Sequence, residues 1–394
     1  MTVRRSLIHP LWRRCVIAGG IAACVCALGL ASATSAGAVG GVTATGTLRE
    51  AGPRPLAGMR VEAVPAGASG CATGCVATYT AAGGTFMLPG LTTGSYAIDV
   101  VDGLTTVTVG SLTVPATGAL SPLTLTLGPA SVPAATSATH ARQALVWLNA
   151  ERRRAGVPAG VVLNPRWSLE CAAHDHYEQL NDTLASGENP TAAGYSAGGA
   201  WAGLGSDLAQ GEWTPAASPW RDAPVSLLAL LAPSLSVTGI DDSAGRQCAV
   251  TFPGMLRTPP ARDTVHTVPA AGAGGVPTSE IARESPYTPV QFIGLPATTR
   301  TGPELFVYLN RTGEVGQAPV TVTGATLNHA GHAIPVRWVD AATRTLGPDL
   351  AGAILIPIVP LAPATRYRAT VSVQDGATTL TQAWSFTTAG RSAG

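Results

Sequence analysis

Four side chains capable of proton or metal chemistry crowd one short stretch of this chain: Glu170, His174 and Glu178 at four-residue spacing, then Glu188 in the run GENP. An imidazole among carboxylates can move a proton, or with further ligands hold a divalent metal. On a helix Glu170, His174 and Glu178 share a face. His176 points about 200° away from His174 around a 3.6-residue turn, so the two imidazoles are poorly placed for one ion. The plainer reading makes His174 a helix-surface histidine paired with acids, His176 a core-edge residue with a satisfied nitrogen, and Glu188 a carboxylate that binds loop amides. A second chemistry is spelled by Gly194, Tyr195, Ser196, Ala197 and Gly198, a G-x-S-x-G pattern followed in chain order by Asp241, Asp242 and His266. A serine nucleophile elbow needs a buried strand before it and a helix after it. NPTAA before the pattern and GAWAGLG after it read as neither.

The elements that carry these residues follow from periodicity. Ala141, Ala144, Leu145, Leu148 and Arg152 recur at helical spacing until Gly156 to Pro158 stops the pattern. A second helix is predicted from about Arg166 to Leu180, with Asn164 and Pro165 at its start, Leu169, Ala173, His176 and Leu180 forming its apolar face. From Gly41 to about Leu127 the pattern is instead short alternating strands broken by Gly and Pro, the signature of a β-sandwich. Gly128 to Thr139 reads as a linker, and a Pro/Gly-rich connection spans 253–290. Alternation returns in ELFVYLN, PVTVTGATL, IPVRWVD, AILIPIV, YRATVSVQ and WSFTT, a second β-sandwich over 291–389. His329 and His332, in NHAGH, read as an exposed hairpin tip rather than a metal site, since no third ligand lies near in sequence.

Residues 1–38 read as a secretory leader: Arg4, Arg5, Arg13 and Arg14, an apolar run from Val16 to Leu30, then small residues to a cleavage point near Ala38. The apolar run falls short of the roughly 20 residues that span a membrane, so no stable transmembrane anchor is expected after processing. Lipidation at Cys24 is the less favoured alternative, because Val25 to Leu30 stays apolar. The remaining 356 residues exceed one ordinary core and carry 20 arginines against 23 acids, leaving no basic footprint for nucleic acid. Lysine is absent, which excludes a P-loop lysine, a Schiff base and a Ser-Lys dyad. Cys71, Cys75, Cys171 and Cys248 outlast the leader, an even number that favours two disulfides in an exported chain. Three pairings are open, and the domain boundaries favour Cys71 with Cys75 and Cys171 with Cys248. A zinc site at Cys71 and Cys75 lacks a second ligand pair.

The order of several short motifs is more specific than any one of them. Leu148, Asn149 and Arg152 form LN-x-x-R; Gly156 and Pro158 a G-x-P turn; Asn164 to Leu169 N-P-x-W-S-L; His174 and Tyr177 H-x-x-Y; Gly187 to Tyr195 GENP-x-x-x-GY; and Trp220 to Ile240 a final patterned run closed by Cys248. Together, over about 110 positions, they resemble bacterial members of the CAP superfamily, the secreted group with cysteine-rich secretory and pathogenesis-related proteins. The resemblance implies an α-β-α sandwich over 140–252 whose cleft gathers two histidines and two acids, sometimes around a metal. Glu188 falls on the acid of the GEN segment, whereas the implied histidines fall on Ser186 and Ser226. A serine hydroxyl neither takes a proton at neutral pH nor substitutes well for imidazole on zinc, so the resemblance implies a degraded site in which His174 and Glu188 are the remaining candidates. The G-x-L, P-L-A-G-x-x-V and GL-x-x-G-x-Y pieces of 41–128 resemble prealbumin-like modules of carboxypeptidase regulatory domains, with Gly84, Gly90 and Gly94 as turn glycines and Tyr96 as a core anchor. Leu361 to Val371 and Trp384 to Thr388 resemble the closing strands of bacterial immunoglobulin-like domains.

The expected fold class is therefore multidomain α+β: a β-sandwich, a CAP-like α-β-α sandwich and an Ig-like β-sandwich. The expected function is a secreted or surface-held binding protein, more a binder than an enzyme, with no cofactor, no nucleic acid and an extracellular protein, glycan or lipid as partner. A hydrolase using His174 and Glu188 or Ser196 is the alternative, and a structural wall or matrix spacer a third reading. Trp201, Trp213 and Trp220 serve equally as packing anchors or as a ligand platform on sequence alone.

Overall fold

The computed structural model describes residues 41–52, 54–68, 70–71, 74–129, 138–214, 218–243, 245–255, 261–284, 288–312, 319–343 and 352–390. The leader and most of the Gly128 to Thr139 linker lie outside these residues. Strand outweighs helix and is divided among several sheets, so the chain is a β-rich, multi-sheet protein. It separates into two compact units, one essentially residues 41–129 and the other from 138 onward.

The first unit contains β1 (Val42–Glu50), β2 (Arg60–Pro65), β3 (Val76–Tyr79), β4 (Thr85–Leu91), β5 (Gly94–Asp102), β6 (Thr105–Val114) and β7 (Leu123–Leu127). They form a three-stranded sheet in the order β4-β1-β7 and a four-stranded one in the order β3-β2-β5-β6. Alternation fixes which side chains go inward: Ala44 and Leu48 on β1, Phe86 and Leu88 on β4, and Ile98 and Val100 on β5 are buried. Tyr96 is buried as expected of a core anchor, and its hydroxyl donates to Thr92 O at 3.0 Å. Gly84 and Gly90 have φ of 72° and 75°, a left-handed turn geometry that side-chain-bearing residues resist. Cys71 is disulfide-bonded to Cys75.

The second unit begins with α1 (Ala138–Ala155), β8 (Val162–Leu163), α2 (Pro165–Asn181), α3 (Ala197–Gly205), β9 (Ser206–Gln210), α4 (Pro224–Leu230), β10 (Val237–Thr238), β11 (Ile240–Ser243) and β12 (Arg246–Val250). Helix α1 ends where Gly156 adopts φ of 78° and Val157 N closes back on Arg152 O at 3.0 Å. Helix α2 starts with the Asn164 side chain accepting from Arg166 N and Trp167 N at 2.9 and 3.3 Å, with Pro165 in the first turn. The sheet β11-β12-β9 is read on both faces. Cys248 of β12 turns toward α2, where it is bonded to Cys171, while Ile240 and Ala249 join Ala144 and Leu148 of α1 in one core.

The chain continues through β13 (Thr264–Val268), α5 (Pro289–Phe292), β14 (Leu305–Asn310), β15 (Thr321–His329), β16 (His332–Ile334), β17 (Val336–Val339), β18 (Ala353–Pro357), β19 (Arg366–Asp375) and β20 (Thr378–Thr387). Two four-stranded sheets result, β13-β14-β18-β17 and β16-β15-β19-β20. Strands β14 and β18 are buried on both faces, and their period of two divides two cores. Leu305, Val307, Leu309, Ala353 and Leu355 face the second sheet, with Tyr367, Val371, Trp384 and Phe386. Phe306, Tyr308, Ile354 and Ile356 point the other way, into the core built by α1 and α4. Part of the stretch read as a Pro/Gly-rich connection is thus structural: β13 pairs with β14, and Val290 belongs to that shared core. Its short VHTV alternation was hidden among turn-forming residues.

Among the described residues no helix is long and apolar enough to cross a membrane.

Candidate functional site

Helix α2 carries its charged row inward. Glu170, His174, Asp175 and Glu178 are buried, His174 and Glu178 with no exposed side-chain surface, whereas Leu180 of the expected apolar face is 53% exposed. The reading of His174 as a helix-surface histidine is therefore corrected. The row is buried because helix α3 lies directly on it, and α3 can do so because its contacting positions lack side chains. A Cβ on Gly203 would stand 2.3 Å from His174 Cε1, one on Gly199 2.5 Å from Glu188 Oε1, and one on Gly198 3.0 Å from Glu170 Cγ.

Within this seal His174 Nδ1 bonds Glu188 Oε1 at 3.0 Å, and Nε2 faces Glu178 Oε1 at 3.7 Å, an electrostatic contact rather than a hydrogen bond. Glu188 is fully engaged, since its Oε2 accepts from Ser196 N at 3.0 Å. This fits the loop-amide role expected of Glu188 and joins it to His174 as well. Glu178 accepts from Ala185 N at 2.9 Å and lies 3.5 Å from Arg246 Nη1, whose guanidinium also donates to Thr183 O. Burial raises the Glu178 carboxyl above its ordinary range, opposed by the Ala185 amide, His174 and Arg246. Asp175 is held well above the ordinary aspartate range, first by burial and then by the charge of the neighbouring Asp241 of β11. An imidazole between carboxylates is chemically capable of proton transfer. Here no face of the ring is open to a reactant.

The flank GAWAGLG, read as non-helical, is corrected to helix α3, but the G-x-S-x-G pattern still resolves into packing and capping because no strand directly precedes it. Gly194 adopts φ of 78° in a turn rather than ending a strand, and Ser196 is the N-cap of α3, its hydroxyl accepting from Gly199 N at 2.9 Å. Gly198 is one of the close-approach positions. Asp241 is buried beside Asp175, and the imidazole of His266, on β13, bonds Thr264 Oγ1 at 3.2 Å.

The two serines at the implied histidine positions have separate surroundings. Ser186 is exposed in the loop after α2. Ser226, in the first turn of α4, donates to Glu284 Oε1 at 3.1 Å and lies close to Asp207, which accepts from Thr251 Oγ1 at 2.9 Å. Burial lifts the Asp207 carboxyl to about 7. Asp207 and Glu284 escaped sequence reasoning because β9 and the 253–290 stretch gave no periodic signal that would bring them to Ser226.

Tryptophans 213 and 220 are fully buried, with ring centroids 5.8 Å apart, and serve as packing anchors. Trp201 lies against Trp167 at 5.6 Å. His329 and His332 flank a two-residue hairpin turn and are exposed, as expected of a tip. Among the described residues, the only three His, Cys, Asp or Glu donors within 4.8 Å of one another are those of Glu62, Cys71 and Cys75. Both sulfurs are spent in the disulfide, and Glu62 pairs with Arg60 at 2.7 Å. Searches against protein-family models and against curated proteins return no match for this chain.

Proposed function

We propose that this chain is an exported, non-catalytic binding or surface-interaction protein, and that residues 140–252 are a CAP-like module retained as a rigid scaffold. The observation that carries this reading is the sealing of His174: a side chain with no exposure, both ring nitrogens turned to carboxylates, and glycine backbone against the ring. Catalytic groups must reach the bond they act on. The layering of β9, β11 and β12 between α1 and the α2 and α3 pair supports the CAP-like fold, and the Cys171–Cys248 bond supports an oxidising destination. The flanking β-sandwiches would then be a prealbumin-like module at 41–128 and an immunoglobulin-like module at 291–389, both common as spacers and adhesive surfaces.

Purified mature chain should contain no stoichiometric zinc by elemental analysis and should hydrolyse neither ester nor peptide probes. Turnover that disappears on Ser196→Ala or His174→Gln while the fold is retained, or one zinc per chain, would refute the proposal. Fractionation of producing cells should place the processed chain outside the cytoplasm, and retention of the unprocessed chain inside would contradict export.

A further inference from the structure

The segment Thr278 to Glu284 ties the two halves of the second unit together. On the sandwich side, Glu280 and Thr301 exchange both backbone hydrogen bonds, at 3.1 and 3.0 Å, and Leu361 N donates to Thr278 O at 2.8 Å. On the helical side, Arg283 N donates to Asp222 O, and the Glu284 carboxylate accepts Val225 N and Ser226 N at 2.9 Å each. Among the described residues, acids gather around this segment without a matching cation. Glu304 is 8% exposed, neither of its carboxyl oxygens is hydrogen-bonded, and its backbone N donates to Glu280 Oε2 at 3.4 Å, which sets the two glutamates side by side with Glu284 in electrostatic range. Glu280 in turn faces Asp222 and Glu284, and Glu284 faces Asp207. The neighbouring bases point elsewhere: Arg283 is a mostly exposed partner of Asp222 at 3.9 Å, and Arg300 bonds the Ser279 hydroxyl.

A buried Glu304 carboxylate with no partner, beside the half-buried Glu280 and Glu284, is costly to ionise together with them and calls for a proton or a metal. The donor atoms of these acids do not converge as three within 4.8 Å, which favours protons. We propose that Thr278 to Glu284 is a proton-operated clasp: with Glu304 and Glu280 protonated it closes the helical half onto the sandwich, and their deprotonation loosens it.

The electrostatics agree with that geometry. Burial, then Glu280 and Glu284, hold the Glu304 carboxyl well above the glutamate range, and burial lifts Glu280 to about 7. In a released segment both return toward the ordinary value near 4.3. The closed form therefore binds more protons than the open one between about 4.3 and 7. Closure is complete below that window and weakens as pH rises through it. The proposal does not depend on whether the helical half is CAP-like.

Amide hydrogen exchange on the full processed chain, corrected for intrinsic rates, tests it between pH 5 and 8. The amides of Glu280, Arg283, Val225, Ser226 and Thr301 should lose protection by up to about tenfold per pH unit for each proton released, while those around Leu148 stay flat. Glu304→Gln should flatten this slope and keep the segment closed at pH 8, and Glu280→Gln should do so independently if the first variant fails to fold. A pH-independent wild-type profile, or an unchanged slope in a folded variant, would overturn the clasp. So would restoration of protection at pH 8 by millimolar calcium, which would make the neutralising species a cation.

Discussion

Replacing Arg152 by methionine should be among the most damaging single changes in the second unit. Arg152 has no exposed surface, yet its partners are backbone carbonyls: Nε donates to Pro158 O at 2.7 Å, Nη1 to Leu230 O at 2.5 Å, and Nη2 to Ala232 O and Leu235 O at 3.1 and 3.2 Å. One guanidinium thus closes the end of α1 onto the carbonyls that follow α4. Burial lowers its pKa to about 10, so it remains charged at neutral pH. Methionine fills much of the volume but donates nothing. The Pro158 carbonyl regains water; the three buried carbonyls lose their partner at about 1–3 kcal/mol each. Relief from burying a charge offsets part of this, leaving a net loss of about 3–5 kcal/mol, a large share of a typical stability of about 5–15 kcal/mol. Urea unfolding followed by tryptophan fluorescence reports on this core directly, because Trp213 and Trp220 sit in it. With a slope near 2–3 kcal/mol per molar, the midpoint should fall by about 1–2 M. Arg152→Lys should lie between the two, since an ammonium cannot reproduce the fork. A methionine variant within about 1 kcal/mol of wild type would refute the idea that these bonds stabilise the fold.

Gly203→Ala should lower stability by about 1–3 kcal/mol, read as a fall in melting temperature, because its methyl group would overlap the His174 ring. Asp175→Asn should raise stability at pH 8 and matter little at pH 4. The native Asp175 keeps a proton that the unfolded chain releases above about 4, so the stability it contributes is present in acid and lost as pH rises; destabilisation at pH 8 by the amide would contradict this. Removing the Cys171–Cys248 bond, which closes a separation of 77 residues, should cost about 4.5 kcal/mol in the chain-entropy picture. Removing Cys71–Cys75, with a separation of 4, should cost about 2 kcal/mol, and equal losses in denaturant would count against that picture.

Sequence periodicity located what is local. Asn164 and Pro165 start α2, Gly156 stops α1, and the NHAGH turn joins β15 to β16, because each is fixed by neighbours in the chain. The face of α2 was misjudged for the opposite reason. A row of Glu170, His174 and Glu178 looks solvated unless Glu188, Arg246 and a glycine-lined helix come to meet it, and Arg246 stands 68 positions beyond Glu178. Of the glycines of α3, Gly198 reads in the sequence as part of a serine-nucleophile pattern and Gly199 and Gly203 as the flank that does not fit it, none of them as a position of close helix approach. Likewise Glu280, Glu284 and Glu304 carry no local mark of burial, since only the docking of the 253–290 stretch gathers them.

Exchange of the imidazole Cε1 hydrogen with deuterated solvent, resolved by mass spectrometry for each histidine, addresses the role of His174 most directly. A sealed structural histidine exchanges far more slowly than the exposed His329 and His332, and zinc leaves its rate unchanged. Exchange of His174 as fast as that of the hairpin histidines, or protection that appears only on adding zinc, would show an open imidazole available for chemistry and would contradict a non-catalytic scaffold.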